Sequence, residues 1–187
     1  MDFSKLKEYL GMQEEPVPSL SKQDIDRPLY AEQAEEKRLK RNEDINAMME
    51  SLAQIESSGG KNFKHKRIED PNSVQYGDEA IGTYGLMPNT VKEIAGSDQS
   101  PEIRALLKLK SDQIKAALEG NPELEQQVAR RLGEKVYDRQ GGDIEKAAYA
   151  WNQGHNLPPE RITKDKLQKS QYIQKLRALK KPELLQC

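Results

Sequence analysis

Apolar residues in this chain recur at three- and four-residue spacings in short blocks, each closed by glycine or proline. From about Ala31 a helical pattern begins, and its later part sets Ile45, Met48, Met49, Leu52 and Ile55 on one face. Gly59-Gly60 is the expected stop, since glycine takes the left-handed conformation at low cost. Pro88 opens a short helix carrying Val91, Ile94 and Ala95, which Gly96 ends. Ser100-Pro101 reads as an N-cap followed by proline in the first turn, leading the stripe Ile103, Leu106, Leu107, Ile114 and Leu118 up to Gly120. Asn121-Pro122 repeats that signal for Leu124, Val128, Leu132 and Val136. Gly141-Gly142-Asp143 closes this helix and caps the next, with Ile144, Ala147, Ala148 and Trp151. A last helix is predicted over roughly 164–179 (Leu167, Tyr172, Ile173, Leu176, Leu179). Alternating strand patterns are almost absent. The pattern predicts an all-α domain of several short helices.

Two stretches fall outside it. Residues 2–10 allow one short helix (Phe3, Leu6, Leu10), but Pro16, Pro18 and Pro28 then punctuate polar sequence with too little apolar surface for a core. Residues 1–30 therefore read as an arm or linker, and 31–187 as the domain. Residues 61–84 lack periodicity and read as a long loop, with a short hairpin around Tyr76-Gly77-Asp78. Loops of that length are uncommon and often functional.

Charge narrows the function classes. Lys and Arg number 30 against 31 Asp and Glu, so net charge gives no global argument for a nucleic-acid partner. The signs alternate as on solvated helix faces. The single cysteine, Cys187, permits no disulfide framework within the chain, and His65 and His155 have no partner at ligand spacing, so neither metal nor cofactor is expected. The start Met1-Asp2-Phe3-Ser4-Lys5 has no apolar signal-peptide region, and no run is long enough to span a bilayer.

One residue stands out chemically. Glu56 lies four residues after Leu52 and seven after Met49, at the edge of the buried stripe and the end of its helix. Partial burial and the carbonyls of a helix C-terminus both disfavour its charged form, so both should raise its pKa. A carboxyl group kept protonated near neutral pH can donate a proton to a leaving group. The plain alternative is a surface glutamate at a frayed helix end.

Two further stretches bear on that choice. Residues 82–90 read Gly-Thr-Tyr-Gly-Leu-Met-Pro-Asn-Thr and residues 147–154 read Ala-Ala-Tyr-Ala-Trp-Asn-Gln-Gly. With Glu56-Ser57 and the later Tyr172-Ile173-Gln174-Lys175-Leu176, they resemble the soluble lytic transglycosylases, a goose-lysozyme-like family. That family shows in order Glu-Ser, Gly-Leu-Met followed by Pro-x-Thr, Ala-Tyr-Asn-x-Gly and Tyr-Val-x-Lys-Val. The resemblance covers about residues 43–178. It departs from the family in three places: Met87 runs directly into Pro88 where a Gln is usual, residues 61–81 look like an insertion flanking the cleft, and His155 with Pro158-Pro159 replaces a Gly-rich continuation. Trp151 also stands where Tyr is usual.

The resemblance implies a lysozyme-like fold, no cofactor, and peptidoglycan glycan strands as substrate. The bond cleaved would be the β-1,4 link between N-acetylmuramic acid and N-acetylglucosamine. Glu56 would act as acid on the glycosidic oxygen, then as base on the muramyl 6-hydroxyl, closing a 1,6-anhydro ring without water. Ser57 would orient substrate, Gly85, Leu86 and Met87 would line the cleft, Tyr149, Trp151 and Asn152 would contact sugar, and Tyr172 would face the acid. Leu86 and Met87 read more readily as core than as ligand contacts, and Trp151 at least as readily as packed as stacked on sugar.

Two other readings stay open. One is a goose-type muramidase that uses water placed by Asp78 or Glu79; the other is a non-enzymatic virion or secretion component with a glycan-binding lysozyme-like fold. A murein-cleaving domain with a polar arm and no export signal resembles a phage virion component, delivered to the host periplasm to open the wall for DNA entry. Its arm would dock other virion or secretion-apparatus proteins; the alternative location is the cell envelope by a signal-independent route.

Overall fold

The computed structural model describes residues 22–59, 65, 68–69 and 77–179. The short helix expected over 2–10, the Pro16–Pro18 stretch and Cys187 lie outside these, as does most of the 61–76 part of the expected loop. The chain groups into two units, residues up to Leu39 and residues from Lys40; the arm expected over 1–30 falls within the first.

Helix α1 (Lys22–Ser57) starts earlier than the predicted Ala31 and runs through Pro28. Proline costs a helix interior about 3 kcal/mol, but a run of Glu, Lys, Arg, Gln and Ala follows, and these are strong helix formers. In the first unit, residues 30–39 of the helix are exposed throughout, with an Arg38–Glu35 ion pair one turn apart. Such exposed pairs contribute little.

The second unit is held by the apolar stripes. After α1 come α2 (Pro88–Ser97), α3 (Pro101–Ala105), a 3₁₀ turn at Leu106–Lys108, α4 (Ser111–Glu119), α5 (Pro122–Arg139), α6 (Ile144–Gln153), a 3₁₀ turn at Pro159–Arg161, α7 (Lys164–Lys169) and α8 (Gln171–Leu179). The described residues form no strand, only isolated bridge pairs such as Ile81 with Leu86. The all-α class follows. No helix among them is long and apolar enough to cross a membrane.

Helix α5 packs against α2, α4 and α6, and α6 in turn against α7 and α8. Ile45, Met48 and Leu52 of α1 are fully buried in the same core as Val128 and Val136 of α5, Ala147 and Ala150 of α6, and Ile173 and Leu176 of α8. Full burial of a Leu or Ile side chain stabilises by about 1.5–3 kcal/mol. Gly133 permits the α1–α5 approach, because a Cβ there would lie 2.6 Å from the Met49 sulfur. Arg41 of α1 makes a bidentate pair with Asp138 of α5, and the Tyr137 hydroxyl donates to Asp44 at 2.7 Å.

Two predicted helices are divided in the structure. The stripe from Ile103 to Leu118 breaks at Leu109–Lys110, where the Lys110 N–H donates to the Gln113 side chain and starts α4 afresh. The break leaves Leu107 44% exposed while Ile103, Leu106, Ile114 and Leu118 all reach the core. Likewise the helix expected over 164–179 breaks at Ser170, whose hydroxyl accepts the Ile173 N–H and caps α8. Asn121 and Asp143 cap their helices through side-chain oxygens as predicted, accepting from Leu124 and Lys146. Ser100 does not: its hydroxyl makes no cap bond, and its own N–H donates to Asp98.

Candidate active site

Helix α1 ends at Ser57, followed by Ser58 and Gly59 with φ of 55° and 70°. The left-handed turn therefore begins one residue before the first glycine. Their N–H groups reach back to the carbonyls of Gln54 and Ala53, and the Ser57 hydroxyl also donates to Ala53. Two carbonyls that sequence reasoning held against Glu56 are thus already bonded.

Glu56 stands half-buried in this last turn. Its Oε1 accepts the Tyr172 hydroxyl from α8 at 2.7 Å. Its Oε2 faces Gly85, where an added Cβ would lie 3.0 Å away. Burial raises its pKa above the ordinary carboxylate value; the Tyr172 hydrogen bond, then the charges of His65 and Lys175, oppose this without cancelling it. Burial, then the Glu56 charge and hydrogen bond, hold Tyr172 far above the usual tyrosine range, so it remains a donor. The site is a carboxyl group biased toward its acid form, with one fixed donor.

Gly85 belongs to a tight turn, Gly82–Gly85, closed by paired backbone bonds between Ile81 and Leu86. Both glycines have φ above 60°, a conformation costly for other residues. The sequence reading treated this stretch as the end of an irregular loop. Further back, Ile68 exchanges backbone bonds with Gly77 and Asp78, so two of the three residues around which a hairpin was expected are paired with Ile68.

Glu56 itself lines no described cleft, but two clefts are lined by the residues that touch it, Gly85 and Tyr172. One, of about 220 Å³, is lined by Gly85, Leu86, Met87, Trp151, Asn152 and His155, among others. The second, of about 390 Å³, is lined by Tyr149, Asn152, Lys166, Lys169 and Tyr172 among others. Asn152 borders both. Glu56 adjoins the first through Gly85 and the second through Tyr172. The amide of Asn152 is exposed and accepts from Gln153 at 2.6 Å. Trp151 is half-buried against the core, and Leu86, 2% exposed, belongs to that core while edging the cleft.

Ser57 does not join this surface. It is 1% exposed, with its hydroxyl turned to the helix backbone, so it has no direct path to a glycan. Glu79 pairs with Lys115 at 3.0 Å. His155 bonds to Glu93, whose carboxyl Lys135 and then His155 hold down at about 2.

Sequence reasoning missed two residues. Glu125 of α5 is 4% exposed, and its Oε1 accepts the N–H groups of Thr83 at 2.6 Å and Tyr84 at 3.2 Å. His65 lies 2.9 Å from the Gly82 carbonyl, to which its ring N–H donates. Glu125 had a legible signal: it shares the stripe of Val128, Ala129 and Leu132, where a charge is out of place unless bonded. His65 had none.

No protein-family model, curated protein or solved structure shows significant similarity to this chain.

Proposed function

We propose that the chain is a peptidoglycan lytic transglycosylase with a lysozyme-like fold. The observation that carries this reading is Glu56: a half-buried carboxyl, raised in pKa by burial, held by Tyr172 and packed against Gly85, two residues that each line a cleft bordered by Asn152. The motif residues that resemble the transglycosylases supply this arrangement from distant parts of the chain: Glu56, Gly85, Asn152 and Tyr172.

In this mechanism protonated Glu56 delivers its proton to the glycosidic oxygen as the bond to the muramyl C1 breaks. The carboxylate left behind is stabilised by the Tyr172 hydroxyl and by the His65 and Lys175 charges. It then takes the proton of the muramyl 6-hydroxyl, whose oxygen bonds to C1 and closes the anhydro ring. Each turnover returns Glu56 to its acid form. Hydrolysis by two carboxylates needs a second group free to act on water. Glu125 is engaged with two backbone N–H groups and Glu79 with Lys115, which leaves Asp78 as the carboxylate that a hydrolytic reading would have to use.

Mass spectrometry of peptidoglycan digested with the protein tests this. Anhydromuramyl ends, lighter by one water than hydrolysed ends, are expected, and Glu56→Gln should abolish them. Reducing muramic ends as the main product would move the assignment to a muramidase. Glycan binding without cleavage by the wild type would leave a binding module.

A further inference from the structure

The turn that carries Gly85 is held from both sides by groups outside the cleft. The Glu125 carboxyl occupies the space a Cβ on Gly82 would need, at 2.4–2.7 Å from that position. It accepts the next two N–H groups, from Thr83 and Tyr84, while His65 donates to the Gly82 carbonyl. At the far end of the same turn, Gly85 lies against Glu56 Oε2. A buried carboxyl on α5 and the acid on α1 therefore share one rigid four-residue link.

We propose that Glu125 is a positioning residue for Glu56: it pins the Gly82–Gly85 turn and so keeps Gly85 packed over the acid. This rests on the reading of Glu56 as the proton donor. The cover excludes water from one face of the carboxyl, and exclusion of water keeps such a group in its acid form. If the turn loosens, water reaches Oε2 and the acid form is lost at lower pH. The other groups acting on Glu56, namely Tyr172, His65 and Lys175, come from α8 and the segment before the turn and keep their sense in either case.

Two substitutions separate position from charge. Glu125→Gln removes the charge but keeps an oxygen that accepts both N–H groups. Glu125→Asp keeps the charge but withdraws the oxygen by about one bond, some 1.5 Å. The readout is the titration midpoint of the Glu56 carboxyl by ¹³C NMR, alongside the high-pH limb of glycan release. Glu125→Asp is expected to move both acidward by about half a unit or more, against shifts of up to about 3–5 units for full burial. Glu125→Gln is expected to leave both near wild type. An unmoved midpoint in Glu125→Asp, or a Glu125→Gln shift as large as that of Glu125→Asp, overturns the proposal. Unfolding would also move the midpoint acidward, so circular dichroism over the same pH range must show Glu125→Asp folded throughout for its shift to count. A wild type that cleaves no glycan would overturn the acid role of Glu56 but not this coupling, because the carboxyl titration is read without turnover.

Discussion

Replacing Tyr172 with Phe keeps the ring and removes only the hydroxyl that donates to Glu56 Oε1 at 2.7 Å. A hydrogen bond to a charged group contributes about 1.5–3 kcal/mol. Its loss falls on the ionised form of Glu56, and one pKa unit corresponds to about 1.4 kcal/mol. The Glu56 pKa, already raised by burial, should rise by a further one to two units or so. Donor activity requires the protonated carboxyl, so the high-pH limb of glycan release should move alkaline by the same amount. The maximal rate falls as well, because the departing proton leaves behind a less stabilised carboxylate.

The same shift governs stability. A carboxyl whose pKa is raised by folding favours the folded state fully below its unfolded value, and that contribution is lost as pH rises through the folded value. In Tyr172→Phe the loss should extend over a wider window, leaving the variant close to wild type below the wild-type Glu56 pKa and about 1.5–3 kcal/mol less stable only once pH exceeds the variant's higher one. Urea unfolding at several pH values reads the stability, and a pH–rate profile reads the limb. A limb that stays in place or moves acidward would refute the view that this hydroxyl supports the charged form.

Glu56→Gln should reduce glycan release by at least about 10²–10⁴-fold. Its stability should gain on wild type as pH rises above the ordinary carboxylate range, because the awkward charge is gone; chemical denaturation at two pH values checks the sign. Gly85→Ala forces a Cβ into φ +62° and to 3.0 Å from Glu56 Oε2, so a loss of about 1–2 kcal/mol and a lowered rate are expected, measured by melting and turnover. Glu79→Gln breaks only the partly exposed Lys115 pair, so activity should stay near wild type and stability should change by less than about 1 kcal/mol. A severe activity loss there would favour the muramidase reading.

The helices were legible because they are decided locally. Apolar spacing and Gly/Pro punctuation located nearly every stripe, and Asn121 and Asp143 cap where their positions predict. The misses are places where a local signal competes with a tertiary demand. Leu109–Lys110 and Ser170 break helices that periodicity alone would continue, because each break lets two apolar segments reach the core at different angles. Ser100 occupies a cap position, yet its N–H is drawn to Asp98, a partner no helix rule anticipates.

The site divides along the same line. Glu56 was found from its place on a stripe edge, but the cause of its raised pKa was only half right: burial leads, and the nearby carbonyls of Ala53 and Gln54 are bonded. Burial at a helix end depends on what arrives from elsewhere, here a glycine turn and a tyrosine 116 residues along the chain. Neither follows from periodicity; both came from motif resemblance, which gives identities and order but not contacts. Glu125 shows the complementary case. A buried carboxyl must find donors, and the nearest stretch able to offer consecutive free N–H groups is a tight turn whose glycines let the carboxylate approach. Read that way, a charge on a core stripe and a Gly-x-x-Gly turn without a partner are two halves of one requirement. Their meeting next to Glu56 makes the acid's environment depend on a buried residue of another helix that never touches it.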